Sequence, residues 1–306
     1  MPEFTVSVII CTYNPNISII NRALNGLKNQ TVNTFDWELI IVDNNSTDDF
    51  QHKLDISWHD YVRFINENQQ GLTYARIAGM EAARGELLIF VDDDNVLDKD
   101  YLVNAIKIGE EFGFLGAWGG STIGEFEVEP PSWFSAKYFE MLAVRTIDRD
   151  SWSNKRFDRD TNPIGAGLVI RKDVAEAYIN AQKSGKKELV LDRSGDSLLS
   201  GGDNEIVYTA IELGYGTGNF QRLKLTHYIT AKRLTADYMI KLMESIAMSN
   251  VILYHKYGRD YPFPIRPRGV ATDVLYKIQQ LRMDPIKKAL KDAEIKGITR
   301  GKALIG

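Results

Sequence analysis

Three short apolar runs do most to limit what this chain can fold into. Val6 to Cys11, Trp37 to Val42 and Glu86 to Val91 are nearly unbroken stretches rich in β-branched, leucine and aromatic residues. A strand with one wet face alternates polar and apolar residues, whereas a continuous run of this length is buried on both faces. Between the runs lie segments with helical spacing, Ile17 to Asn29 and Gly71 to Arg84. The second carries Leu72, Ala75, Ile77, Ala78 and Ala82 on an apolar face. Strand, helix, strand, helix, strand implies an α/β chain with a parallel sheet and helices packed on it.

In such sheets ligands gather beyond the carboxyl ends of the strands, where loops converge with helix N-termini. Each run is followed by a polar cluster: Thr12-Tyr13-Asn14-Pro15, then Asp43-Asn44-Asn45-Ser46-Thr47-Asp48-Asp49, then Asp92-Asp93-Asp94-Asn95. Three successive carboxylates after a buried strand repel one another unless they are alternated, solvated or neutralised. A bound cation is one neutraliser. If the backbone stays extended, Asp92 and Asp94 point to one side and offer hard oxygen ligands to magnesium or manganese and to substrate phosphates. A solvated acidic turn is the plainer alternative.

The other candidates have plain alternatives too. Asp43 could accept a hydrogen bond from a base or ribose, or cap a following helix in competition with Asn44, Ser46 and Thr47. Arg76, on the helix that leads into the acidic strand, could meet those acids or a diphosphate, or form a surface ion pair. Asp203, after Ser200-Gly201-Gly202, could be a general base or an N-cap. His227 could complete a metal site or be structural. Lys232 and Arg233 could meet phosphate or solvent. Trp118, Trp133 and Phe134 could stack on sugar or sit in the core.

Further along, Gly167 to Ile170 reads as a strand, a helix starts near Asp173, and Glu205 to Leu213 and Thr235 to Tyr257 read as helices. Another helix is expected over Asp273 to Asp292, after a break at Tyr261-Pro262-Phe263-Pro264-Ile265-Arg266-Pro267. The expected division is a larger α/β domain over residues 1–232 and a helical C-terminal extension over 233–306. With 306 residues, 44% hydrophobic and 25% charged, the chain can bury a sizeable core. A formal charge of −4 and a pI near 5.7 supply no overall basic field, so nucleic acid is not an expected partner. Cys11 is the one cysteine, which excludes an intrachain disulfide and suits a reducing compartment, so a cytoplasmic location is expected. No apolar stretch reaches the roughly 18–20 residues of a membrane span, and the opening MPEFTVSVIICTYN lacks a signal-peptide pattern.

Taken together, VSVIICTYN, WELIIVDNNSTDD, NQQGLTYARIAGMEAARGELLIFVDDDNVLDKDYL and SGGDNEIVYTAIELGYG resemble the family 2 glycosyltransferases, which have the GT-A fold. The resemblance covers roughly residues 5–230, and four motifs in order are far more specific than any one of them. It implies a Rossmann-like mixed, mainly parallel sheet flanked by helices. It implies an inverting, single-displacement, metal-dependent transfer from a nucleoside diphosphate sugar, with a uridine diphosphate sugar as first expectation. By the same resemblance Thr12, Tyr13 and Asp43 would hold the nucleoside, and Asn14 and Asp93 would belong to the same donor pocket. Asn68, Gly71 and Arg76 would close that pocket, and Asp92 would contact ribose or metal. Asp94 would bind the manganese or magnesium ion that bridges the phosphates, with His227 as a further ligand. Asp203 would match the base; family members often carry Glu-Asp there, whereas here Gly202 precedes Asp203 and Glu205 follows, so Glu205 stays an alternative.

The implied acceptor is a saccharide or a lipid-linked saccharide of a cell-surface polysaccharide or glycolipid pathway. A nucleotidyltransferase is the rival enzyme, but it would show a glycine-rich basic loop where Thr12-Tyr13-Asn14-Pro15 stands. Gly214-x-Gly216-x-Gly218 follows a helix rather than a first strand, so it does not read as a dinucleotide loop. A non-catalytic sugar-nucleotide-binding module would bind donor and cation without turnover. The C-terminal helices are expected to pack on the core or on a second copy in a homodimer. Tyr261 to Pro267, with Arg266 and Arg268, could instead rest peripherally on the inner face of a membrane.

Overall fold

The computed structural model describes residues 4–184, 191, 198–262 and 283–306. Two compact units emerge, one of residues 1–125, 143–190 and 202–229, the other of residues 126–142, 191–201 and 230–306.

The first unit is built on strands β1 (Val6–Thr12), β2 (Trp37–Asp43), β3 (Val62–Asn66), β4 (Leu87–Phe90), β5 (Asn95–Leu97), β6 (Leu115–Phe126), β7 (Ser151–Ser153), β8 (Val169–Arg171) and β9 (Gly216–Ile229). Its helices are α1 (Ile17–Lys28), α2 (Leu72–Ala82), α3 (Tyr101–Glu111), α5 (Lys172–Lys183) and α6 (Gly202–Glu212). In the second unit are α4 (Ala136–Met141), α7 (Ala236–Lys256) and α8 (Pro285–Ile305).

Among the described residues the strands make one mixed sheet in the order β3-β2-β1-β4-β8-β6-β9-β5, with β7 paired to β9. β3, β2, β1 and β4 run parallel, while β8 lies antiparallel to both β4 and β6. The three apolar runs form β2, β1 and β4, as expected. Val6, Val8 and Ile10 pack with Ile20, Leu24 and Leu27 of α1 and Leu102, Ala105 and Ile108 of α3, while Ile9 meets Gly79 of α2 on the other face. Burial on both faces is why these strands lack a polar alternation; each such side chain contributes about 1.5–3 kcal/mol. The exception, Glu38, is buried but accepts from Ser7 Oγ, Arg63 Nη2 and the Arg84 amide, which satisfies its charge.

Several details differ from the sequence reading. β3 intervenes before the acidic loop, so Asp92 follows the fourth strand. β3 has no fully buried residue, and an edge strand of that kind gives no continuous apolar run. The strand expected at Gly167 begins at Val169, because Gly167 adopts φ +71°. Trp118 is wholly buried in the core, with Arg171 over its ring at 5.6 Å, and cannot stack on a sugar.

In the second unit Gly297 and Gly301 let α8 approach α7 closely: a Cβ at Gly297 would lie 2.2 Å from the Glu244 carbonyl. Lys296 and Arg300 flank that contact and bind the Glu244 carboxylate at 2.9 and 2.6 Å. Trp133 and Phe134 cluster with Tyr138 and Phe139. The helix expected over Asp273 to Asp292 falls outside the described residues up to 282; of the rest, 285–292 are helical as expected and residues 283–284 are not. Asp284 is extended and caps the amides of Ile286 and Lys287, and Pro285 opens α8, since a residue before proline is pushed out of the helical region and proline suits a first turn. Of Tyr261 to Pro267, the stretch from Phe263 on lies outside the described residues.

Candidate functional site

The strand ends of the parallel block lie in register, Thr12 beside Asp43 and Asp43 beside Asn66, so the loops after β1, β2 and β3 leave the sheet side by side. Asn14, at φ +48°, donates its amide to Ser46 Oγ at 2.8 Å, and its Oδ1 accepts from the Thr47 amide and hydroxyl at 2.9 and 3.1 Å. Asn44 is buried; its amide donates to the Thr12 carbonyl, and its side chain donates to the carbonyls of Glu67 and Gln69 at 3.2 and 2.8 Å and accepts from the Gly71 amide at 2.7 Å. Gly71 sits at φ +144°, a region closed to most side chains, and starts α2. Asp43 caps no helix: its Oδ1 accepts from the Ser46 amide at 2.9 Å. Tyr13 is 47% exposed, so its ring is available to a ligand, and Asn68 is exposed in the loop before Gly71.

The acidic loop is a turn, closed by the Asn95 amide on the Asp92 carbonyl. The backbone is therefore not extended through the loop, and Asp93 and Asp94 take different partners. Asp93 accepts from Thr12 Oγ1, which ties the loop to the end of β1. Asp94 faces β9: its backbone carbonyl accepts from the Tyr228 amide, its Oδ1 accepts from Asn95 Nδ2, and its Oδ2 lies 3.3 Å from His227 Nε2. β5 and β9 pair Asn95 with His227, so the contact follows from the sheet register. Nitrogen and oxygen donors held at about 2.1 Å on one small divalent cation sit about 3 Å apart when adjacent, so this pair fits two positions around such an ion. Among the described residues no three His, Cys, Asp or Glu side chains converge as a complete ligand set.

Arg76 and Asp203 meet across Gly165. The Arg76 side chain is buried, with its guanidinium 5.9 Å from the Phe90 ring centre. A Cβ on Gly165 would fall 3.1 Å from Arg76 Nη2 and 3.2 Å from Asp203 Oδ2. Asp203 Oδ2 accepts from the Gly165 amide at 2.9 Å and Oδ1 from the Asn204 amide at 2.9 Å. α6 begins at Gly202, so Asp203 stands inside the first turn rather than capping it. Asp203 is half-buried, whereas Glu205 is 2% exposed, which leaves Asp203 the more accessible carboxylate.

Two contributors were missed in the sequence reading. Asn44 was weighed there only as a cap, and Gly165 not at all, although Pro163-Ile164-Gly165-Ala166-Gly167 just before a strand is a turn signal. The inward face of His227 had a signal as well: Leu223, Leu225, His227 and Ile229 are buried at alternate positions of β9, a period-two pattern.

Comparison with known proteins places these residues in a family. The family model described as "Glycosyl transferase family 2" matches residues 7–178. A glucosyl-dolichyl phosphate glucuronosyltransferase of Haloferax volcanii is 22% identical over 55% of this chain and 53% of its own length. A GalNAc(5)-diNAcBac-PP-undecaprenol beta-1,3-glucosyltransferase of Campylobacter jejuni is 31% identical over 46% of this chain and 44% of its own. The chain thus spans about half the length of these curated relatives. The crystal structure of S. aureus TarS 1-349 in complex with UDP-GlcNAc aligns over 99% of this chain and 84% of that one, with a TM-score of 0.50 and 16% identity. The expected α/β architecture of GT-A type, a mixed sheet with flanking helices and C-terminal helices, is the fold observed.

Proposed function

Because the chain belongs to glycosyl transferase family 2, we propose that it is an inverting glycosyltransferase. It would move a sugar from a nucleoside diphosphate sugar, foremost a uridine diphosphate sugar, to a hydroxyl of a saccharide or lipid-linked saccharide acceptor. The observation that carries this reading is the arrangement around Gly165, where the Arg76 guanidinium and the Asp203 carboxylate both come within 3.2 Å of the place a Cβ would take. A single displacement needs a cationic hold on the departing diphosphate and a base at the acceptor, and one group of each kind stands here.

In this reading Thr12, Tyr13, Asn14 and Asp43 hold the nucleoside at the ends of β1 and β2. Asn68, Gly71 and Arg76 close the donor pocket, and Asp92 and Asp93 line it. Asp203 takes the proton of the acceptor hydroxyl as the new oxygen–carbon bond forms. The bond from that carbon to the phosphate oxygen breaks at the same time, and its electron pair leaves with the diphosphate. No enzyme nucleophile is required. A manganese or magnesium ion held by Asp94 and His227, with diphosphate oxygens and water completing its shell, would offset the charge that gathers on the leaving group.

Calorimetric titration of a panel of nucleoside diphosphates, with and without manganese, tests the reading. Manganese-dependent binding of one nucleotide is expected, and Asp94→Ala should abolish the manganese dependence. Binding that ignores the cation would remove the metal assignment. Binding without nucleotide release from a donor sugar in the presence of acceptors would favour a sugar-nucleotide-binding module, and no binding at all would return the fold to other chemistry.

A further inference from the structure

The mild net charge of the whole chain conceals two opposed regions. Residues 230–306 carry 15 Lys and Arg against seven Asp and Glu, a surplus of eight positive charges, whereas residues 1–229 carry 22 against 34. An anionic partner would therefore be drawn to the C-terminal stretch and repelled by the rest.

Helix α8 shows how that surplus is presented. Its inward face is Leu290, Ala293, Gly297, Ile298 and Gly301, all buried. Lys287, Lys288, Lys291 and Lys302 are exposed, and among the described residues Lys287, Lys288 and Lys302 make no ion pair, while Lys291 bonds to Glu294. From Lys287 to Lys302 the helix extends about 22 Å. At roughly 100° per residue these four lysines fall within about a 100° sector of the helix, with the exposed Asp292 at its edge. A stripe of exposed lysines with no aromatic side chains between fits a flat anionic layer better than a nucleic-acid strand, which is gripped by basic grooves with stacking aromatics.

We propose that the outward face of α8 docks this protein electrostatically on an anionic phospholipid surface, with the lysines at the headgroup phosphates. No described helix is long and apolar enough to cross a membrane, so the contact is peripheral. Attraction of this kind grows with each lysine near the surface and is screened within a Debye length of about 8–10 Å at physiological salt. The inference is independent of the proposed glycosyl transfer.

The experiment is co-sedimentation of the full chain with vesicles of phosphatidylcholine alone or mixed with phosphatidylglycerol. The wild type should bind the mixed vesicles, release them at high salt and ignore phosphatidylcholine. The variant Lys287→Glu/Lys288→Glu/Lys302→Glu should bind roughly 100-fold more weakly, with an unchanged melting temperature and unchanged nucleotide binding. The same charge change at Lys99, Lys107 and Lys224, exposed in the other unit, should cost far less. Equal binding to both vesicle types, equal losses in the two variants, or capture by heparin with no vesicle binding would each overturn the proposal, the last by pointing to a soluble polyanion.

Discussion

In the parallel half of the sheet the polar side chains at the strand ends bond to one another's loops; beyond it, Asp94 and Asp203 meet groups from distant segments of the chain, His227 and Gly165. Asn14 joins the loop after β1 to that after β2, and Asn44 joins β2 to the entry of α2 through bonds to Glu67, Gln69 and Gly71. Asn44 has one acceptor oxygen and two amide hydrogens, and all are used. Asp203 accepts the Gly165 amide on Oδ2 and both the amide and the side chain of Asn204 on Oδ1, and it is half-buried, so its roughly four lone-pair sites are not all taken. The first region holds a shape, whereas on the proposed mechanism the second meets a reacting group, and variants in the two should fail in different ways.

The largest effect should come from Asp203→Asn. The amide can still accept the Gly165 amide, so the local structure survives, but it cannot take a proton. Loss of a general base lowers a rate by about 10²–10⁴-fold. We expect the turnover number to fall by that factor, while the dissociation constant for the nucleoside diphosphate, measured by calorimetry, moves less than about twofold. Turnover within tenfold of wild type would move the base to Glu205 or elsewhere and erase the contrast between the two regions.

That contrast also explains what the sequence let one read. β1, β2 and β4 were legible because burial on two faces writes an unbroken apolar run, and their following loops were legible because contiguous clusters such as Asp92-Asp93-Asp94 stand out. Contacts beyond the parallel half join residues far apart in the chain, 133 positions between Asp94 and His227 and 38 between Gly165 and Asp203. No local periodicity reports such a meeting. β3 escaped notice because its burial is partial along its length, and the helix start at Pro285 was missed because the apolar spacing outvoted the Asp284-Pro285 signal. The acidic loop closes as a turn through the Asn95 amide and the Asp92 carbonyl, a choice that three contiguous acids alone leave open.

Next in size is Asn44→Ala, which strikes the holding region. The buried Gly71 amide and the carbonyls of Glu67 and Gln69 lose their partner together, and a buried polar group left unpaired costs about 1–3 kcal/mol. A drop in melting temperature of several degrees is expected, with weaker nucleotide binding. At saturating donor the turnover number should stay near wild type, the reverse of the Asp203 pattern. A variant that melts normally but turns over slowly would show that the two regions are not separable in this way.

The smallest effect we expect is from Gly165→Ala, and it probes the seam between Arg76 and Asp203. The backbone φ at Gly165 is not in the left-handed region, so alanine brings no left-handed backbone strain, only a methyl group 3.1 Å from the guanidinium and 3.2 Å from both the Cβ and the carboxylate of Asp203. The guanidinium and the carboxylate are side-chain ends, and the Cβ contact needs a shift of only a few tenths of an ångström, so the fold should persist. A shift of the base by that amount matters more to a reaction than to a structure, because reacting atoms must lie about 3–3.5 Å apart and aligned. We therefore expect turnover to fall on the order of tenfold with melting temperature and nucleotide affinity unchanged. If nucleotide affinity falls instead and turnover at saturation holds, then Arg76 rather than Asp203 gives way, and Gly165 belongs to the donor side of the site.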